Sequence, residues 1–149
     1  MVTKKEAQVE GFDLDNYGVL ASSEGVWMHL TDPGTEAPLY NNEGKAVRIK
    51  VVGEDSPLFR AKERDFMNRR LAKNKLRVGT AEQLEADSVE LVVACTLDWD
   101  GFIRAGEKWE FSKENVRLLY SDDKWRWIKE QVDKFIGERR NFLQATKTN

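Results

Sequence analysis

Hydrophobic and polar residues alternate most regularly in the run A-V-R-I-K-V-V at 46–52. This period of two places alternate apolar residues on one face and Arg48 and Lys50 on the other, which is typical of a half-buried β-strand. With the apolar run V-W-M-H-L at 26–30, the pattern predicts a small antiparallel sheet within residues 25–55.

After residue 55 the spacing of apolar residues becomes helical. Ser56 and Pro57 are a typical helix start, because the hydroxyl accepts a backbone hydrogen bond and proline needs none in the first turn. The centre of the second helix is apolar on nearly all sides, which predicts a buried central helix. The apolar side chains of the last helix fall within roughly 120° of one another at ~100° per residue. Helices are predicted at about 57–74, 81–97, 113–120 and 123–143.

Aromatic residues alternate around Gly101 and Gly106, between the second and third predicted helices, and this pattern predicts a short hairpin near 99–111. The predicted fold class is α+β, a small N-terminal antiparallel β-sheet followed by a mostly helical C-terminal domain. The expected organisation is a polar N-terminal tail at 1–24, a β-segment at 25–55 and a helical domain at 56–149.

The composition indicates a folded protein with a well-solvated surface. Hydrophobic residues make up 40% of the chain and charged residues 34%, and a net charge of -2 gives no overall attraction to nucleic acid or to an anionic membrane. No apolar run approaches the ~20 residues of a membrane span, and the N-terminus lacks the apolar segment of a signal peptide. Cys95, the single cysteine, lies in an apolar run and is expected to be buried. We therefore expect a cytoplasmic protein.

Few residues in the sequence point to catalysis or metal binding. His29 is the only histidine, which excludes a histidine dyad and a multi-histidine metal site. Phosphate-cradling glycine motifs and a nucleophile elbow are absent from the sequence. The acid pairs Asp98/Asp100 and Asp122/Asp123 fall at turn and cap positions, where acids are common for local reasons. The expectation is a protein that is not an enzyme and has no metal and no cofactor.

A basic segment at 60–77 carries eight Lys and Arg residues against Glu63 and Asp65. Such a run on a helix is suited to a phosphate backbone, to an acidic or helical protein partner, or simply to a solvated face. Its apolar residues precede the basic ones on the same face, which favours an amphipathic protein partner with acidic flanks. Trp127 lies about 60° outside the apolar stripe of the last helix, so its ring is expected to be partly exposed, either over the hairpin edge or against another chain.

Three motifs follow one another in the C-terminal part of the chain: a D-W-x-G turn, a strand ending F-S-x-E-N-V-R-x-L-Y, and a helix W-I-x-x-Q-V-x-x-F-I-x-x-R-x-N-F. Their residues are Asp98, Trp99 and Gly101, the continuous run 111–120, and Trp127, Ile128, Gln131, Val132, Phe135, Ile136, Arg139, Asn141 and Phe142. In this order they resemble the C-terminal signature of tail assembly chaperones from long-tailed bacteriophages. The resemblance extends more weakly over the β-rich segment and the basic helix, and so spans most of 26–143.

The resemblance implies a non-catalytic protein that binds the tape-measure protein and tail-tube subunits in the host cell cytoplasm while the tail is built. It also implies a tendency to self-associate, and a short form of a product that frameshifting lengthens. Two alternatives stay open: a structural component of the tail, and a nucleic-acid-binding module that uses the basic 60–77 helix. The residues expected to contact the partner are Arg64, Arg69, Arg70, Lys73 and Trp127.

Overall fold

The computed structural model describes residues 9–18, 24–72 and 80–143. It confirms the predicted α+β class, with a three-stranded antiparallel sheet and four α-helices in these ranges. The strands are β1 (Val26–His29), β2 (Arg48–Val51), β3 (Thr96–Asp100), β4 (Ile103–Arg104) and β5 (Glu107–Lys108). The α-helices are α1 (Pro57–Ala72), α2 (Ala81–Cys95), α3 (Lys113–Ser121) and α4 (Arg126–Gly137). Short 3-10 turns lie at Leu14–Tyr17, Asp123–Trp125 and Arg139–Phe142.

The sheet has the order β1-β2-β3, and its two faces differ as the alternation predicts. Met28, Ile49 and Trp99 are paired across the three strands and are buried. On the opposite face Arg48 pairs with Asp100 at 3.2 Å and lies 4.1 Å from the centre of the Trp27 ring. One face therefore contributes to the core, and the other carries charges that neutralise one another across strands.

The predicted helix at 81–97 extends too far, because α2 ends at Cys95 and Thr96 begins β3. The Thr96 side chain is fully buried and hydrogen-bonds to Val92 O and to the hydroxyl of Tyr120, both at 2.8 Å. Lys113 caps the C-terminal end of α2, because its Nζ donates hydrogen bonds to Val93 O and Thr96 O, both at 2.8 Å. Burial lowers the pKa of this ammonium group. Pairing with β2 and the Lys113 cap end the helix at Cys95, although the apolar residues of 81–97 have helical spacing.

The predicted hairpin near 99–111 is shorter than expected. Only β4 and β5 form it, while Trp99 and Asp100 belong to the central sheet. Gly101 makes the change of direction possible, because its φ of 95° is unfavourable for other residues and a Cβ there would lie 2.6 Å from Ala46 O. The Trp99 indole donates to Trp109 O at 2.8 Å, which holds the hairpin against the sheet.

The prediction of a buried central helix is correct only for the second half of α2. Residues 81–86 are all exposed, whereas Val92, Val93 and Cys95 are buried. Thr80 caps the helix, as its hydroxyl accepts from the backbone N–H of Gln83 at 3.1 Å.

The predicted helix at 123–143 is divided into a 3-10 turn, α4 and a second 3-10 turn. Glu138 has an extended backbone, and Asn141 Nδ2 donates to Phe135 O at the end of α4. The apolar stripe is nevertheless confirmed as core, because Ile128, Val132 and Ile136 are buried. Trp125 and Phe135 are only partly buried and pack against that core.

Candidate partner-binding site

The helices α1 and α2 pack against each other, and the parts nearest to their connection lie largely outside the core. Phe66 is the one buried residue within α1, and the α2 residues 81–86 are exposed. Met67 and Leu71 on α1 expose 54% and 59% of their surface, so apolar side chains face solvent beside the basic ones. Exposed apolar side chains that cluster in one place, with charged side chains around them, are typical of a protein-binding site.

One groove on this helix pair brings together two of the residues predicted to contact a partner. It is lined by Arg60, Glu63, Arg64, Phe66, Met67, Arg70 and Leu91 and has a volume of about 460 Å³. We call it the arginine groove. Its apolar side chains, and its three guanidinium groups against one carboxylate, are complementary to an amphipathic segment that carries acidic residues.

The three arginines differ in how far their charges are already paired. Arg60 lies 3.4 Å from Glu63 and 3.8 Å from Asp55, and Arg70 lies 3.8 Å from Asp87. Within the described ranges, Arg64 has no ion-pair partner and its side chain is exposed. Because guanidinium groups have several N–H donors, the groove retains donors that an incoming carboxylate can use.

The structure places the other predicted residues elsewhere. Arg69 lines a second groove with a volume of about 660 Å³, where it lies 3.3 Å from Asp87 and 5.0 Å from the Phe66 ring centre. Lys73 lies outside the described residues. Trp127 is half-buried on α4, which packs on α2 and α3, and its ring contributes to the core. Trp127 is therefore not part of the arginine groove.

Sequence reasoning did not identify Arg60, Met67 and Leu91 as residues of this surface. Arg60, Arg64, Met67 and Leu71 are spaced by four, three and four positions, so they share one outward stripe of α1. That stripe is visible in the sequence once the outward face is considered separately from the Phe66 face. The contribution of Leu91 depends on the packing of α2 and has no local signal.

The remaining candidates for chemistry have structural contacts. The His29 ring lies edge-on to Tyr40 at 5.1 Å, and its Nε2 is 2.8 Å from Leu39 O. Asp98 accepts from the backbone N–H of Trp99, and Asp122 accepts from that of Lys124, which lowers the pKa of Asp122. In the three described ranges, no cluster of three or more His, Cys, Asp and Glu residues is arranged to hold a metal ion.

None of the described helices is both long enough and apolar enough to span a membrane.

Comparisons of the chain with protein-family models, with curated protein sequences and with solved structures gave no match.

Proposed function

We propose that this chain is a non-catalytic tail assembly chaperone of a long-tailed phage, and that it binds an amphipathic helix of the tape-measure protein through the arginine groove. The observation that carries the proposal is the composition of that groove. Three arginines line the groove together with the apolar side chains of Phe66, Met67 and Leu91. The order of motifs between 98 and 142 supports the choice of the chaperone class.

The groove suits a helix with acidic flanks for two physical reasons. Apolar side chains at helical spacing bury area against Met67 and Leu91, and this burial contributes about 25 cal/mol per Å² before the costs of association. Acidic side chains beside the apolar stripe meet the guanidinium groups in bidentate geometry. Such contacts determine partner choice and association rate more than raw affinity, and they weaken as salt is added.

A nucleic-acid-binding function is the weaker candidate for this surface. Arg69 and Arg70 both lie near Asp87, and Glu63 lies within the groove, so carboxylates interrupt the basic surface. A phosphate backbone is bound through Lys and Arg side chains, and each carboxylate beside them opposes that attraction. A structural role in the finished tail involves the same protein contacts and differs only in whether the chain is retained in the particle.

Co-purification with the tape-measure protein tests the proposal. The variant Arg64→Glu/Arg70→Glu reverses two charges in the groove, and Arg126→Glu/Arg140→Glu reverses two exposed arginines on other elements as a matched control. We expect the groove variant to lose most of the bound tape-measure protein while its thermal stability falls only modestly, because Arg64 is exposed and Arg69 still neutralises Asp87 at 3.3 Å. The control should retain binding. If both variants bind equally well, the arginine groove is not the binding site.

The protein composition of purified particles distinguishes a chaperone from a structural component of the tail. If the chain is a chaperone, we expect to detect it in lysates in which tails are being assembled and not in finished tails. Stoichiometric amounts in finished tails would favour the structural role instead.

A further inference from the structure

Asp87 on α2 lines the second groove of the helix pair and lies near two arginines, Arg69 of that groove and Arg70 of the arginine groove. Its Oδ1 is 3.3 Å from Arg69, and its Oδ2 is 3.8 Å from Arg70. The Asp87 side chain is only 16% exposed, whereas those of Arg69 and Arg70 are 49% and 36% exposed. One internal carboxylate therefore attracts two guanidinium groups that otherwise face solvent.

Arg69 donates a hydrogen bond to Asp87 at 3.3 Å, whereas the contact of Arg70 with Asp87 is poor compared with another ion pair of α2. Arg117 binds Glu90 in bidentate geometry, with N–O distances of 2.7 and 3.0 Å. Arg70 reaches Asp87 at a distance too long for a hydrogen bond. A carboxylate that approaches Arg70 from solvent can form the shorter, paired geometry that Asp87 does not form.

We propose that Asp87 is a specificity-determining residue of the arginine groove, and that it competes with the acidic side chains of the partner for Arg70. This inference rests on the proposed function and adds a rule for partner choice. A partner helix must supply carboxylates that reach Arg70 in better geometry than Asp87 does. Polyanions that bind only through net charge are disfavoured, because the Asp87 charge opposes them.

Removal of the Asp87 charge leaves Arg70 available to the groove and removes a repulsion of the incoming carboxylates. At the ionic strength of a cell, a single charge at this range changes affinity by about three- to tenfold. Asp87→Asn should therefore bind an acidic helix more tightly than the wild-type chain does.

The experiment measures binding of two labelled probes by fluorescence anisotropy: a synthetic amphipathic helical peptide with acidic flanks, and a short DNA duplex. Asp65→Asn is the matched control, since Asp65 lies on α1 and has no ion-pair partner in the described part of the chain. We expect tighter peptide binding by Asp87→Asn and little change for Asp65→Asn. The gain should disappear in the Arg70→Ala background, a result that a purely structural role of Asp87 does not produce.

If wild type binds the peptide and Asp87→Asn binds equally or more weakly, Asp87 does not compete and only this inference falls. If Asp65→Asn gains as much affinity as Asp87→Asn, the effect is one of net charge and the inference falls too. If neither the wild type nor Asp87→Asn binds the peptide, the proposed function falls with it. If the gain is for DNA rather than for the peptide, the surface is a phosphate-binding one.

Discussion

The buried hydrogen bond between Thr96 and Tyr120 should contribute measurably to stability, because both side chains are almost completely enclosed. Thr96 is 0% and Tyr120 3% exposed, and their oxygens are 2.8 Å apart. Thr96 also hydrogen-bonds to Val92 O at 2.8 Å, and burial raises the pKa of Tyr120 well above its ordinary value. This hydrogen bond joins the start of β3 to α3, so the effect of removing it tests where the α2 helix ends.

The magnitudes follow from which groups lose partners. Tyr120→Phe removes one bond and leaves Thr96 bonded to Val92, so we expect a loss of about 1 kcal/mol in the free energy of unfolding. Thr96→Val keeps the shape of the side chain but removes both bonds and leaves the tyrosine hydroxyl buried without a partner, and we expect a loss of about 2–3 kcal/mol. The double variant has no stranded hydroxyl and should lose only about 2 kcal/mol.

The assay is urea unfolding of the wild type, the two single variants and the double variant, followed by tryptophan fluorescence. The sum of the single losses should exceed the loss in the double variant by about 1–2 kcal/mol, which is the coupling energy of the pair. Additive losses, or a Tyr120→Phe variant as stable as the wild type, would show that the two hydroxyls do not bond and that the junction of α2 and β3 is arranged differently.

Three further predictions concern a core side chain, a buried thiol and an ion pair at the surface. Val132→Ala should lower the free energy of unfolding by about 1–4 kcal/mol in urea titrations, because Val132 is fully buried. Burial raises the pKa of Cys95 to about 12, so a thiol reagent should label the native protein only as fast as it unfolds. Hydrogen bonding to Arg139 holds the pKa of Asp55 below its ordinary value, so its contribution to stability is present above pH ~4 and is lost as pH falls through the lowered pKa. Asp55→Asn should therefore be less stable than wild type at neutral pH, by up to about 1 kcal/mol, and the difference should close in acid.

The elements that could be predicted from sequence are those with a regular period and one environment. The strand at 46–52 alternates cleanly because one of its faces is buried, and the core stripe of α4 follows from helical spacing alone. The run before Trp99 is different, since a short apolar stretch fits a buried helix and a buried strand equally well. Its division at Cys95 depends on pairing with β2, some fifty residues earlier in the chain, and no local pattern contains that information.

Part of the candidate site could also be predicted from a regular pattern in the sequence. Arg64 and Arg70 follow from the basic pattern of α1, and the structure places both in one groove. The separation of Arg69 from that groove depends on how α1 rotates against α2, which Phe66 determines by being the buried residue of α1. The sequence predicts only that Trp127 is partly exposed, and exposure does not indicate which side of the molecule a residue occupies.

Site-specific photo-cross-linking of the chain to the tape-measure protein tests most directly whether the arginine groove is the binding site. One photoreactive residue replaces Met67 in the arginine groove, and a second, in a separate protein, replaces Leu118 on α3. These positions are matched in exposure, at 54% and 56%. We expect position 67 to cross-link to a helical, acid-flanked segment of the tape-measure protein and position 118 to give no cross-link. Equal yields from both positions, or a cross-link from position 118 alone, would contradict it.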